Sequence, residues 1–247
     1  MTETAPIPST ALELWYSATP THRSKSEQHF CAILSDDERE RWKHISHRAT
    51  QWQFLCARFM LRSVLSKHHD CKPDQWRFAF GKHGKPFIAS PDNAKHLQFN
   101  IAHTDGAIAL ALGQHHYLGV DIENQSRSAN ILTLARRHFS SHEFDLLQNK
   151  TEAEQQKLFF ELWTLKEAYM KARGLGFALS LKHICFELPL SDSIRLLANE
   201  HLQDNENAQW LFSSYHIMEH YSLALAAKID GHGPENVTLS KSEFGII

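Results

Sequence analysis

The sequence predicts an α+β fold of two similar halves, each built of helices packed on a small, mainly antiparallel sheet. Three observations carry this. Helical periodicity over residues 35–67 gives way to short alternating segments over 76–123. The same order then recurs, with helical patterning over 131–173 and strand character over 184–228. Finally, Ala109-Leu110-Ala111-Leu112 is echoed by Leu223-Ala224-Leu225-Ala226, as internal duplication would leave it.

Taken in order, Ser35-Asp36-Asp37-Glu38 supplies an N-cap and early acids for a polar helix. Residues 49–67 carry Trp52, Leu55, Phe59 and Val64 at helical spacing. Beyond Pro73 an antiparallel meander is expected, with strands over 76–80, 86–89, 97–102, 107–112 and 117–123 and a turn at Gly81-Lys82-His83-Gly84. In the second half, helical stretches over 131–148 and 151–173 precede strands at 184–188, 210–215 and 222–228. Thr151-Glu152-Ala153-Glu154 reads as a capping box and Gly174 as a stop. The halves divide near Gly119, so the expected domains are 1–118 and 119–230, followed by a flexible tail at 231–247.

Composition narrows the function. With Lys plus Arg at 26 against Asp plus Glu at 28, the chain lacks the basic excess of a general nucleic-acid binder. Any phosphate must be met by a local site. No apolar run reaches membrane-spanning length and the N-terminus lacks a signal-like pattern, so no membrane association and a cytoplasmic location are expected. Cys31, Cys56, Cys71 and Cys185 are scattered and read as reduced thiols. His68-His69 and His115-His116 lack an acidic partner at metal-ligand spacing and read as solvated.

Two acidic segments stand out. In Gly119-Val120-Asp121-Ile122-Glu123 the two-residue period sends Asp121 and Glu123 to one face. Such carboxylates repel, and either water or a hard cation such as Mg²⁺ must relieve them. Along the helix at 151–173, Trp163, Glu167 and Lys171 share a face, which makes Glu167 and Lys171 an i,i+4 pair. Phe159, Phe160, Leu162, Leu165, Tyr169 and Met170 make that helix apolar around much of its circumference, so its charges need a partner or a function. Neither nucleotide-binding glycine loop is present. Gly81-Lys82-His83-Gly84-Lys85-Pro86 is a basic turn, and His103 ends a strand before Thr104-Asp105-Gly106.

In order and spacing, Gly84-Lys85-Pro86, Phe99-Asn100-Ile101-Ala102-His103, Gly119-Val120-Asp121-Ile122-Glu123 and Trp163-Thr164-Leu165-Lys166-Glu167-Ala168, with Lys171 and Gly174 following, resemble the surfactin-type (Sfp-type) 4′-phosphopantetheinyl transferases. The last two segments are the specific ones. The resemblance implies a pseudo-twofold monomer that moves phosphopantetheine from coenzyme A to a serine of an apo acyl or peptidyl carrier protein. Mg²⁺, or alternatively Mn²⁺, would be the cofactor, with the metal and coenzyme A between the halves. Carried over, Asp121, Glu123 and Glu167 become metal ligands, and Asp121, Glu167 and Lys171 the catalytic set. Arg41, Lys85, Pro86, Ala102, His103 and Lys171 become coenzyme contacts. Two departures are Ala102, where the family usually has serine, and Gln53, where it commonly has arginine. The implied carrier is acidic, and Arg136-Arg137 and the Lys166, Lys171, Arg173 region are candidate complements. The competing functions are a Mg²⁺-dependent pyrophosphohydrolase and a degenerate carrier-binding module.

Overall fold

Alternating side chains at Ala11–Ala18, a segment with no predicted element, form strand β1 of the first of two units. The computed structural model describes residues 7–8, 11–21, 23–81, 83–114, 117–127, 130–174, 179–188, 194–197, 209–229 and 236–242. The chain divides into one unit of Met1–Gln114 with Pro234–Ile247 and a second of His115–Gly233. The division falls a few residues before the predicted one.

In the first unit, helices α1 (Arg23–Ala32), α2 (Asp36–Lys43) and α3 (Arg48–His68) precede strands β2 (Arg77–Phe80), β3 (Pro86–Ser90), β4 (Gln98–Thr104) and β5 (Ala107–Gly113). Ser35 caps α2 as its sequence predicts, and Glu38 completes a capping box by accepting from the Ser35 amide. The apolar face of α3 enters a core that includes Trp52, Leu55, Phe59, Val64, Phe99 and Leu110. Strand β1 pairs antiparallel with β5, and β5 with β4. A parallel partner of β1 comes from the far end of the chain, since Asn236–Lys241 forms β11, with Leu14 opposite Leu239. The segment expected as a flexible tail therefore supplies an edge strand where it is described.

In the second unit, β6 (Leu118–Asn124) is followed by α4 (Ile131–His138), α5 (Ser141–Gln148) and α6 (Glu152–Arg173). The single helical stretch read over 131–148 is two helices, because Ser140 and Glu143 form a capping box that starts α5 afresh. The predicted box at Thr151 and Glu154 opens α6, and Gly174 ends it at φ 63, a left-handed conformation natural to glycine. Strands β7 (Cys185–Glu187) and β8 (Arg195–Leu197) make a small hairpin. Strands β9 (Gln209–Ile217) and β10 (Tyr221–Ile229) complete an antiparallel sheet in the order β6, β10, β9. Helix α6 packs over β6 and β10 on a core that includes Phe159, Leu165, Tyr169, Phe212 and Ala224. Both units are thus α+β, helices on small sheets, as predicted. Among the described residues no helix is long and apolar enough to cross a membrane.

Candidate active site

The face of β6 that carries Asp121 and Glu123 also carries Gly119, and α6 lies against it. A Cβ on Gly119 would stand 2.0 Å from the Ala168 carbonyl oxygen and 2.4 Å from the Ala172 amide nitrogen. Glycine is what lets α6 come this close. The approach covers Asp121, which is only 5% exposed, so the wet-face explanation of the acidic strand fails. Glu123 stays half-buried, as do Glu167 and Lys171 on α6.

Lys171 Nζ donates to Asp121 Oδ1 at 2.6 Å. The sequence pairs Lys171 with Glu167 one turn earlier; in the fold, the lysine reaches across to the strand instead. Asp121 Oδ2 is buried with no hydrogen-bond partner. Burial raises the Asp121 carboxyl to about 7, against the pull of Lys171 and with further lifting by the charges of Glu123 and Glu167. Burial also raises Glu167, again offset by Lys171 and reinforced by Glu123. Three carboxylates within electrostatic reach of one another, one holding an unsatisfied oxygen, suit a hard divalent cation, which takes oxygen donors and neutralises like charge. Among the described residues no group of three such side chains is already placed to hold a metal ion. The fit rests on the orphaned Asp121 oxygen and the mutual repulsion.

The remaining predicted residues lie in the first unit. Lys85 is in the turn before β3, and burial lowers its ammonium to about 8. Pro86 opens β3, paired with Phe80. Ala102 is buried in β4 opposite Ala109, while the next residue, His103, is exposed opposite Ile108. Gln53, where a cation was expected, donates its amide to the Thr104 carbonyl at 3.0 Å and so braces the end of β4 against α3.

Arg41 belongs to a group that the sequence does not reveal. Its guanidinium lies over Phe80 at 5.5 Å and Phe54 at 5.7 Å, and Arg58 lies over Phe54 at 5.3 Å and Phe78 at 5.8 Å. Arg41, Arg58, Phe78 and Phe80, with Arg77, Ser35, Asp37 and Glu38, line a pocket of about 280 Å³. Arg58 is 8% exposed, and its Nη1 is buried without a hydrogen-bond partner although Nε sits 3.4 Å from Glu38. A buried unpartnered guanidinium nitrogen beside two further arginines suits an oxyanion. The available signal was i,i+4 spacing of Phe54 and Arg58 on α3.

Of the residues considered for carrier recognition, Arg136 and Arg137 are exposed near the end of α4. Arg173 is half-buried and donates to the Tyr169 hydroxyl at 2.7 Å. Lys166 is a correction. It is 0% exposed, with Nζ bonded to Glu143 Oε2 at 2.6 Å, to the Leu181 carbonyl at 3.1 Å and to the Ile184 carbonyl, so it cannot face a partner. Its burial follows from the apolar circumference of α6, which leaves an interior lysine only interior partners.

A family model described as the 4′-phosphopantetheinyl transferase superfamily matches residues 117–226, and one described as the N-terminal part of 4′-phosphopantetheinyl transferase matches residues 19–115. The 4′-phosphopantetheinyl transferase HetI of Nostoc sp. is 32% identical, over 68% of this chain and 70% of that protein. The putative 4′-phosphopantetheinyl transferase slr0495 of Synechocystis sp. is also 32% identical, over 62% of each. The 4′-phosphopantetheinyl transferase Sfp of Bacillus subtilis is 26% identical over 92% of this chain and 96% of that protein.

Proposed function

This chain belongs to the 4′-phosphopantetheinyl transferase superfamily, and from that premise we propose that it is a surfactin-type enzyme using Mg²⁺ to modify apo carrier proteins. The carrier serine Oγ forms a bond to the β-phosphorus of coenzyme A, the pyrophosphate P–O bond breaks, and 3′,5′-ADP leaves. The observation that carries this reading is the carboxylate group of Asp121, Glu123 and Glu167, with the orphaned Asp121 Oδ2 and Lys171 beside it.

Asp121, Glu123 and Glu167 would hold the cation, and Mn²⁺ would fit the same oxygen donors. Bound there, the metal supplies positive charge against the pyrophosphate oxygens. Lys171, already on that face, neutralises the departing phosphate. Glu167, its carboxyl raised by burial, accepts the serine proton. Arg41, Arg58, Lys85 and His103 anchor coenzyme phosphates remote from the reacting bond, with Pro86 and Ala102 in contact beside them. Ala102 leaves its backbone, but no hydroxyl, to contact the coenzyme. The exposed Arg136 and Arg137 offer charge to an acidic carrier. The enzyme works as a cytoplasmic monomer on two water-soluble substrates.

The test is one incubation of the protein with apo carrier, coenzyme A and Mg²⁺, followed by mass measurement of the carrier. A gain of one phosphopantetheine, abolished by chelator, is expected. An unchanged carrier with release of 3′,5′-ADP means hydrolysis instead, and neither product means a binding module.

A further inference from the structure

Both long helices carry a fully buried cation, and each is held in the same way. On α3, Arg62 is 0% exposed; it bonds Glu38 through Nε at 3.0 Å and takes the carbonyls of Pro73 at 2.7 Å and Trp76 at 3.0 Å. On α6, Lys166 bonds Glu143 and takes the carbonyls of Leu181 and Ile184. Each glutamate stands at the N3 position of a capping box, Ser35 with Glu38 and Ser140 with Glu143. The glutamate precedes its cation by 24 residues in one unit and 23 in the other. Glu143 is itself 0% exposed and accepts from Ser140 N at 3.0 Å, Ser140 Oγ at 2.9 Å and Phe186 N at 3.1 Å. Every charge on this strut is satisfied internally, so it cannot slide without leaving a buried polar group bare.

What differs between the units is the neighbour. Arg62 is followed by Ser63, whereas Lys166 is followed by Glu167. At 3.6 residues per turn, Glu167 and Lys171 lie about 100° and about 140° around α6 from Lys166, and Ala168 and Ala172 about 200° and about 240°. The Ala168 and Ala172 side seats against Gly119. The functional face is therefore bracketed, with the buried strut on one side and the close strand contact on the other.

We propose that the Glu143–Lys166 pair is a positioning device that sets the rotation of α6, so that Glu167 and Lys171 meet Asp121. This rests on the transferase reading. Side chains reach roughly 6 Å from the helix axis, so a turn of about 10° displaces them by roughly 1 Å. Displacements of that size can cost about 10²-fold in rate.

The test replaces the pair with apolar residues, Glu143→Leu with Lys166→Met, which removes both charges together and is the change that buried ion pairs tolerate best. Arg62→Met is the control in the other unit. Activity is measured on apo carrier with coenzyme A and Mg²⁺ well below each melting temperature and divided by the folded fraction. The double variant should lose at least about 30-fold in kcat per folded molecule, with KM for coenzyme A within about threefold. Arg62→Met should lower the melting temperature while keeping kcat per folded molecule within about threefold. Wild-type kcat in the folded double variant, or an equal kcat loss in Arg62→Met, overturns the inference. If the double variant does not fold, Glu143→Gln decides, because it keeps the shape and loses the charge; kcat per folded molecule unchanged there also overturns it. Failure of the wild-type protein to modify the carrier would instead defeat the transferase reading.

Discussion

Gly119→Ala adds one methyl group where the structure leaves no room for it. The new Cβ would lie 2.0 Å from the Ala168 carbonyl oxygen and 2.4 Å from the Ala172 nitrogen, both of them backbone atoms that no rotamer change can move. Comfortable nonbonded contact begins near about 3.5 Å, so α6 must withdraw from β6 by roughly 1.5 Å. Overpacking of this kind costs about 1–3 kcal/mol. Alanine narrows the unfolded ensemble and returns about 0.4–1 kcal/mol. A net loss of about 1–2 kcal/mol should lower the melting temperature by roughly 2–8 °C in a protein this size. The catalytic effect should be larger than the stability effect. Withdrawal would stretch the 2.6 Å bond between Lys171 and Asp121 beyond hydrogen-bonding range. A fall of at least about 10²-fold in carrier modification is expected. Thermal melts and the carrier mass assay on one preparation measure both. A variant with unchanged melting temperature and unchanged transfer rate would refute the claim that close approach of α6 builds the site.

Other substitutions probe the site's chemistry. Asp121→Asn should abolish carrier modification yet keep the fold; because burial raises this carboxyl from 3.8 to about 7, its contribution to wild-type stability should fall as pH rises across that interval, and melts of the variant should lack that slope. Saturating Mg²⁺ at 100 times its dissociation constant should raise wild-type stability by about 2.7 kcal/mol and leave Asp121→Asn nearly unmoved, as read by melting with and without metal. Glu167→Gln should lower kcat by about 10²-fold or more with little change in KM for coenzyme A; the reverse pattern in steady-state kinetics would mean simple binding. Lys85, lowered to about 8 by burial, should lose its charge as pH passes that value, so KM for coenzyme A should climb above pH 8 in wild type and stay flatter in Lys85→Arg.

The sequence by itself determined the features that depend on neighbours along the chain. The N-cap at Ser35, the capping box at Thr151, the glycine stop at Gly174 and the shared face of Asp121 and Glu123 follow from local geometry, and all are present. The motif order that led to the family is also linear information. Tertiary structure decided whatever depends on which surface meets which. Strand β1 and its parallel partner β11 lie at opposite ends of the sequence, so neither local pattern could announce the other. Lys171 turned from its helical neighbour to Asp121 because α6 lies on β6, and it does so only because Gly119 has no side chain. Arg58 joined Arg41 in one pocket through aromatic rings brought in from α3 and β2. In the sequence Lys166 stands as a candidate for an acidic carrier, and nothing along the chain links it to Glu143. Their pairing at zero exposure was set by desolvation, since burying either charge alone costs more than the fold could supply, and only the assembled core could bring them together.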